Sequence, residues 1–464
     1  MDKHPNAIWA PLDKNERQPA RICPKRFYFE LKTAFLEDPK HYQIIHSTNV
    51  DESEFVKNHF SKKLNPKWLK YTWKSKPKLL AYFYLSFKTD GVRVRPIGSY
   101  ALVPHKKLLS YNATGIHTIV KFSGSKNFEF TTTLKFKDKV KDFEDRAKAN
   151  NFDIHKDTFD VKSFFTEVQK THTLHRLKFF IALYIKNNKT NLVSIPKSKH
   201  TKHKPHPGSD TTGLFITFHI DDLFDIVKFA MENAYFKLGH FIIQQIDGLP
   251  MGDPLSPALA VVYLAYDEHA FSLSKPISDC ITLIIRYVDD IVRFIAYKRG
   301  DEYLISFIDC LITNKIYEHD ICHKNIEIVQ DFNVSNKFLD MNIIVYNNLK
   351  NIKLTYFNKN QSVTKILAQE VGRFFNVHDY MSIQVKLSAF VAILVRAIDA
   401  CTFPLDCTLP FCEVMMEMHI LGYSERLMLS AITKAARIRK NDLLWDFISA
   451  KIKYIFYSLA PFSQ

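Results

Sequence analysis

The sequence has few of the features that mark secreted or membrane-spanning proteins. Its 464 residues include only seven cysteines, an odd number scattered from Cys23 to Cys412, and no apolar segment opens the chain as a signal peptide would. This pattern does not suit a disulfide framework and favours a reducing compartment. The apolar run 389–395 ends at Arg396, far short of the roughly 20 residues that cross a bilayer. We expect an intracellular protein that is soluble or peripheral.

Glycine and proline are also scarce, with 12 and 19 residues, whereas 46% of the chain is hydrophobic and 14% is aromatic. This composition excludes a collagen-like, low-complexity or disordered protein, and the length allows about two to four domains. Acidic residues are outnumbered, because 64 Lys and Arg stand against 48 Asp and Glu for a net charge of +16. Such a surplus suits a polyanionic partner. Composition alone leaves nucleic acid and an anionic membrane surface as equal alternatives.

Local patterns predict a chain of mixed helices and strands. Residues 1–60 carry five prolines and predict an irregular arm with one short helix. The apolar segment LLAYFYLSF, the turn residues TDG and the alternating VRVRPI predict a hairpin. Helical spacing predicts helices over about 134–150, over about 220–236 and after a capping Ser256, with one face of this last helix apolar. Buried strands are predicted for TFDVKSFF and for residues 240–246, and the pattern from Asp379 onward is helical.

A polar stretch between Lys186 and Gly213 contains PKSKHTKHKPHPG and is rich in lysine. Such a run is either a solvated, mobile loop, which is the more frequent case, or a loop that contacts nucleic acid. The residues by themselves leave both interpretations open.

The most informative feature is an acidic turn. Asp289 and Asp290 lie between IIRYV and IVRFI, which predict two strands joined at a tight corner. Two adjacent negative charges at a sheet end repel each other, and a bound divalent cation usually offsets this repulsion. Mg²⁺ suits the role because it binds carboxylates together with substrate phosphates. Asp160, within TFDVKSFF, is a third carboxylate between apolar residues. Beside Asp289 it would create a site for two cations about 4 Å apart, as nucleotidyl transfer requires; alone, it is equally a capping or turn residue.

Taken together, three segments resemble the palm motifs of reverse transcriptases. They occur in the order FDVKSFF, GLPMGDPLSPALA and RYVDD. The tetrapeptide YVDD at 287–290 is typical of RNA-directed DNA polymerases, whereas many viral RNA-directed RNA polymerases carry Gly-Asp-Asp. Met251-Gly252 resembles Penelope-like retroelements, since most reverse transcriptases have Gln-Gly there. The segments RVRPIGS, KFLDMNIIV and LGYSERLML resemble further parts of that family, so that the resemblance covers about residues 80–430.

The resemblance implies a right-hand polymerase of the α+β class, with fingers, a palm built on an antiparallel sheet, and a helical thumb. The implied limits are an N-terminal arm at 1–59, fingers and palm at 60–360, and the thumb with the C-terminal region at 361–464. Many Penelope-like proteins continue into a GIY-YIG endonuclease domain. No candidate for its tyrosines occurs here in the right order, so we expect that domain to be lacking.

The same resemblance implies roles for individual residues. The catalytic residues would hold two Mg²⁺ ions, or Mn²⁺ in their place, through three carboxylates and one backbone carbonyl: Asp160, Asp289, Asp290 and Val161. Phe165 would close over the sugar C2′ and exclude ribonucleotides, with plain core packing as the alternative. The remaining predicted nucleotide-binding residues are Lys88, Arg95, Gln245 and Gly252. Of these, Arg95 and Lys88 would contact the triphosphate, and Lys88 is equally a surface lysine.

One departure from the family pattern is Asp253, which follows Met251-Gly252 where a small residue is usual. We expect this acid to interact with the positive end of the following helix.

The function implied by the resemblance is that of an RNA-directed DNA polymerase of a Penelope-like retroelement, which extends a primer 3′-hydroxyl with deoxynucleotides. Its partners would be an RNA template, a DNA primer or RNA–DNA hybrid, and dNTPs, with no membrane partner. Its location would be nuclear in a eukaryotic retroelement. Two alternatives remain. One is a reverse-transcriptase relative with non-standard priming in host defence or chromosome-end maintenance. The other is a non-catalytic RNA-binding protein derived from such an enzyme.

Overall fold

The structure is a computed structural model that describes residues 7–12, 15–48, 50–61, 63–71, 79–87, 94–130, 132–198, 202–274, 282–301, 303–306, 327–330, 336–357 and 374–439. The strands in these segments are β1 Ile8–Leu12, β2 Asn15–Ile22, β3 Tyr42–His46, β4 Ala81–Phe87, β5 Val94–Ser99, β6 Asp153–Lys162, β7 Leu192–Pro196, β8 His206–Pro207, β9 Phe215–His219, β10 Tyr235–Leu238, β11 Phe241–Gln245, β12 Thr282–Tyr287, β13 Asp290–Tyr297, β14 Glu327–Gln330, β15 Lys337–Phe338, β16 Met341–Tyr346 and β17 Asn351–Tyr356. The α-helices are α1 Pro24–Leu31, α2 Glu52–Val56, α3 Lys106–Phe122, α4 Thr133–Ala149, α5 Phe164–Glu167, α6 Lys170–Asn188, α7 Ile220–Glu232, α8 Ser256–Ser274, α9 Ile383–Ala400, α10 Thr408–Ile420 and α11 Glu425–Arg439.

The largest sheet has the order β2-β1-β4-β10-β11-β3, with β5 paired to β4. The antiparallel β4–β5 pair confirms the predicted hairpin, whose turn lies outside the described residues. The prediction of an irregular N-terminal arm is wrong, since β1, β2 and β3 belong to this sheet. The prolines are compatible with strands because Pro11 falls at a register shift in β1 and Pro19 lies in the edge strand β2.

A second sheet is antiparallel throughout and has the order β12-β13-β6-β14. Along β13, Val292 and Phe294 face a core that includes residues of α4, while Ile291 and Ile295 face the main core that contains α8. Both faces are therefore covered. This double burial explains why β12 and β13 are strongly apolar runs up to the acidic turn.

Helix α8 differs from its prediction in two respects. The helix begins at Ser256 itself, one residue earlier than a capping role would require. Residues 258–265 are all buried, so the helix is enclosed rather than apolar on one face. Enclosure on all sides is expected of a helix that crosses the centre of a large domain.

The C-terminal helices have a core of their own. Phe390, Leu394, Phe411, Met418 and Ile432 of α9, α10 and α11 pack together. This confirms the predicted helical pattern as far as Arg439; later residues lie outside the described part of the chain. A small sheet of β15, β16 and β17 adjoins them, and the domain limits proposed from the sequence stay a prediction.

A fourth sheet, of order β8-β7-β9, follows α6 and contains part of the lysine-rich stretch. Among the described residues, no helix has the length and apolar character needed to span a membrane.

Candidate active site

The acidic turn lies where β12 and β13 meet. Tyr287 pairs with Asp290 across the turn, and Asp290 is in turn the register partner of Asp160 on β6. Directly opposite residues of an antiparallel pair project from the same face, with Cβ atoms about 4.5–5.5 Å apart. The backbone N–H of Val161 donates to the carbonyl of Asp289 at 3.1 Å. The structure thus brings the three predicted carboxylates to one end of one sheet.

These carboxylates are accessible: Asp160 is exposed, and Asp289 and Asp290 are half-buried. No group of three His, Cys, Asp or Glu side chains in the described part of the chain is gathered closely enough to enclose a metal ion by itself. Mg²⁺ usually needs only one or two carboxylates and takes its remaining ligands from water and substrate phosphates. Carboxylate oxygens at an exposed sheet end fit that kind of open site.

The turn contains a strained residue. Val288 has φ 57°, a left-handed conformation that is unfavourable for a β-branched side chain. Both of its backbone polar groups are held: Arg286 donates to the Val288 carbonyl at 3.0 Å, and the Glu129 carboxylate accepts the Val288 N–H. The side chains of Arg286 and Glu129 therefore hold the backbone of the turn that carries Asp289.

Arg286 belongs to a buried ionic network. Its fully buried guanidinium donates to Glu268 of α8, also fully buried, and to Glu129 at 2.6 Å. Burial raises the pKa of Glu129 to about 7, against the opposing charge of Arg286. Sequence patterns did not single out these three residues. Arg286 and Glu268 have only one signal, which is a charged residue inside the apolar segments of β12 and α8. Glu129, which lies outside both segments, has no such signal.

The loop between β11 and α8 is clamped by two close backbone contacts. At Gly248, φ is 76° and a Cβ atom would lie 2.8 Å from the carbonyl oxygen of Thr166. At Gly252, φ is 105° and a Cβ atom would lie 2.1 Å from the carbonyl oxygen of Gly98 on β5, whose N–H donates to Met251 at 2.7 Å. Contacts within the protein thus account for both glycines.

The other predicted site residues lie in different surroundings. Arg95 is half-buried on β5, opposite Ser86, and Lys88 lies outside the described residues. The ring of Phe165 packs partly against the main core, 5.8 Å from that of Phe164, and the carbonyl of Phe165 accepts from the N–H of Leu249 at 2.6 Å. Gln245 is only 1% exposed, beneath Gly248. Their contacts to a nucleotide stay a prediction.

Asp253 lies three residues before the start of α8 at Ser256. It is 6% exposed, and its Oδ1 accepts from the N–H of Leu255 at 2.9 Å. Asp253 lines an internal cavity that also contacts Tyr100, His105 and Asn233. Burial raises the pKa of Asp253 to about 7.

This shift predicts a pH dependence that the variant Asp253→Asn removes. Because the folded-state pKa of about 7 exceeds the ordinary value of 3.8, the folded chain binds the proton more tightly than the unfolded chain. The contribution of Asp253 to the free energy of unfolding therefore falls as the pH rises from about 4 to about 7. At pH 8 we expect the free energy of unfolding of the asparagine variant to be about 1–4 kcal/mol higher than that of the wild type. Near pH 4 the two free energies should be equal.

Urea denaturation of both proteins across this pH range measures their free energies of unfolding. Subtracting one from the other at each pH cancels the contributions of other titrating groups, such as His105, which both proteins share. The exposed Asp221→Asn is the matched control and is expected to show no comparable trend. A stability difference between wild type and Asp253→Asn that is constant with pH would contradict the prediction.

The similarity of this chain to known proteins lies in its fold. Neither a protein-family model nor a curated protein matches the sequence. Among solved structures, telomerase from Candida albicans in complex with a TWJ fragment of telomeric RNA is similar with a TM-score of 0.56 at 10% identity, over 98% of this chain and 72% of the telomerase chain. Telomerase from Candida tropicalis in its complex with such a fragment gives 0.50 at 11% identity, over 97% and 62%. The apo telomerase of that organism gives 0.50 at 9%, over 97% and 66%.

The fold is that of the right-hand polymerases. This confirms the fold class expected from the sequence. We call the sheet β12-β13-β6-β14 the palm sheet. Asp160, Asp289 and Asp290 lie at the end of this palm sheet. The loop with Gly252 contacts both α5, which follows β6, and the hairpin strand β5.

Proposed function

We propose that this protein is an RNA-directed DNA polymerase, similar to those of Penelope-like retroelements, that extends a primer 3′-hydroxyl with deoxynucleotides. The observation that carries the proposal is the position of Asp160 directly opposite Asp290, with Asp289 in the adjoining turn, at the accessible end of the palm sheet. The YVDD and Met-Gly segments support DNA synthesis on an RNA template, by their resemblance to that family.

In this proposal Asp160 and Asp289 hold Mg²⁺, with Asp290 and the Val161 carbonyl beside them. When bound, two such ions activate the attacking hydroxyl and stabilise the leaving oxygen. The Arg286 and Glu129 contacts to Val288 keep the Asp289 turn in place, so little reorganisation is needed at the moment of reaction. The guanidinium of Arg95 is suited to the charge that spreads over the non-bridging oxygens of the triphosphate.

Primer extension tests the proposed activity. Purified full-length protein is given Mg²⁺, dNTPs and a labelled primer on poly(rA) or on a mixed-sequence RNA, in parallel with a DNA template and with no template. We expect templated products on RNA with the wild type and none with Asp289→Ala. Equal product from both proteins would remove the proposed catalytic site, and product that does not depend on the template would favour non-standard priming.

Nucleotide selection is a separate prediction. Phe165→Ala removes the ring proposed to exclude the 2′-hydroxyl, so we expect the preference for dNTP over rNTP in kcat/KM to fall roughly tenfold to a hundredfold. The kcat/KM for the deoxynucleotide should change much less. Single-nucleotide incorporation on an RNA template measures both values.

The neighbouring Phe164→Leu is the matched control, because the Phe164 ring is 2% exposed and contributes only to the core. We expect it to keep the wild-type preference. An unchanged preference in Phe165→Ala would mean that this ring, too, serves only in packing.

A further inference from the structure

Three segments that are distant in the chain meet around Tyr71 and Tyr111. They are the 3₁₀ helix Pro66–Tyr71, the first turn of α3, and the sheet β8-β7-β9. The rings of Tyr71 and Tyr111 lie 5.9 Å apart, and the Tyr111 hydroxyl donates to the carbonyl of Lys197 at 3.0 Å. Tyr71 also contacts Phe218 of β9, at 5.5 Å between ring centroids. Aromatic packing therefore holds the three segments together.

The outer side of this junction is lined by five exposed lysines, which we call the lysine rim: Lys70, Lys107, Lys197, Lys202 and Lys204. The Nζ of Lys70 lies 5.1 Å from the ring of Tyr71, and the Nζ of Lys107 lies 5.6 Å from that of Tyr111. The antiparallel register of β7 and β8 directs the segment with Lys202 and Lys204 toward the end of β7 that precedes Lys197. The rim thus combines charges from the lysine-rich stretch with charges from two other segments.

Little negative charge balances the rim. Within the described part of the chain none of its five lysines is paired with a carboxylate, and between Lys186 and His219 the sequence contains a single acid, Asp210. The Asp210 carboxylate already accepts hydrogen bonds from the backbone and side chain of Thr212. A nearby acid of α7, Asp222, is paired with Lys67. The rim therefore carries mainly positive charge.

Part of the rim follows closely in the chain on the hairpin strand β5, which contacts the loop before α8. Gly98 contacts Gly252, and Lys107 follows Gly98 by only nine positions in the chain. Even a fully extended chain of nine residues spans no more than about 31 Å. Lys107 and Gly98 therefore lie no more than about 31 Å apart.

We infer that the lysine rim binds the phosphate backbone of single-stranded RNA, as a contact for the unpaired part of the template; the identity of this ligand rests on the proposed function. Lysines are point charges that contact phosphates without the bidentate geometry of base recognition, so the contact is independent of sequence. Leu69 and Leu214 are 37% and 48% exposed beside the rim. Such apolar side chains can cover unstacked bases, which a duplex does not offer.

The test is the salt dependence of RNA binding. A variant with Lys70, Lys107, Lys202 and Lys204 all replaced by Gln keeps Lys197, whose Nζ donates to the Gly213 carbonyl. Fluorescence anisotropy with a labelled single-stranded RNA, in the full-length protein without divalent metal, gives the association constant over a range of salt. Loss of four phosphate contacts is expected to make the slope of log K against log salt shallower by about 3.

The matched control replaces Lys121, Lys135, Lys141 and Lys148 by Gln. These lysines are equally exposed, and three of them lie on α4 among Asp138, Asp142 and Asp145. The slope of the control should stay close to that of the wild type. An equal change in both variants, an unchanged slope in the rim variant, or a larger loss for duplex than for single-stranded RNA would each overturn the inference.

Two further measurements keep the result interpretable. If the fourfold variant fails to fold, the loop pair Lys202→Gln and Lys204→Gln should still show about half of the slope change. Primer extension by the wild type reports on the proposed function separately. If the salt slope depends on the rim but no primer is extended, the rim binds RNA and the proposed polymerase function is wrong. If primers are extended but the slope does not depend on the rim, the polymerase function stands and the inference about the rim is wrong.

Discussion

Replacing Asp289 by asparagine is expected to abolish primer extension while the protein stays folded. Asparagine keeps the size of the side chain but loses the negative charge that a divalent cation requires. The hydrogen bond from Val161 to residue 289 uses the backbone carbonyl, so the turn keeps this contact. Metal ions supply several kcal/mol of transition-state stabilisation, and we therefore expect the rate to fall by about a thousandfold or more.

The measurement is the single-turnover rate of nucleotide addition at saturating Mg²⁺, together with the thermal midpoint of unfolding. Asp301→Asn is the matched control, because Asp301 is an exposed acid just beyond the other end of β13. We expect that control to keep the wild-type rate and midpoint. A rate for Asp289→Asn within tenfold of the wild type would show that the carboxylate takes no part in the reaction.

The second large effect is expected from Arg286→Met. Methionine fills a similar volume but leaves Glu268 and Glu129 without their buried cation, and the Val288 carbonyl without its donor. Breaking a buried ion pair by removing one partner costs about 3–5 kcal/mol, because the remaining charge stays buried. We expect a fall of this size in the free energy of unfolding, measured in urea.

The pair of Arg299 and Asp153 offers a matched control, since the Arg299 side chain is 78% exposed and Asp153 keeps Lys350 as a second cationic partner. Arg299→Met should cost at most about 1 kcal/mol, as is usual for surface ion pairs. If Arg286→Met cost no more than this control, the buried network would not hold the turn.

Combining Arg286→Met with Glu268→Gln separates stability from positioning. Glutamine removes the stranded charge and keeps an oxygen that can accept from the Phe128 N–H, which lies 2.9 Å from the Glu268 carboxylate. The double variant should regain part of the lost stability, with a coupling of about 1–3 kcal/mol. Its rate of nucleotide addition should stay low, since the Val288 carbonyl still lacks its donor. Recovery of the full rate would show that Arg286 serves folding alone.

The elements around the candidate site were predictable because their patterns are local. The acidic turn stands out as two charged residues between apolar runs, and β12 and β13 form where those runs occur. The hairpin of β4 and β5 follows from alternation on either side of a turn signal. The N-terminal strands were missed because their prolines, taken locally, argue against a sheet. Only their place at an edge and at a register shift makes those prolines acceptable.

The enclosure of α8 has a similar explanation. The sequence of α8 is apolar over most of its length, and helical spacing picks out only one apolar face. In the structure, neighbouring elements cover all faces of the helix. Asp253 is another case. Its position before a helix is visible in the sequence, but its pKa depends on burial in a cavity that four other segments of the chain line together with its own.

By itself, the sequence determined the positive balance of the chain, the strands and helices around the acidic turn, and the order of the segments that resemble reverse transcriptases. These features follow from composition and from periodicity over a few residues. The tertiary structure alone decided that Asp160 stands opposite Asp290, that Arg286 and Glu129 hold Val288, and that lysines from three segments gather around Tyr71 and Tyr111. Such pairings join residues that are distant in the chain, and their partners are chosen by the packing of whole elements rather than by any local pattern.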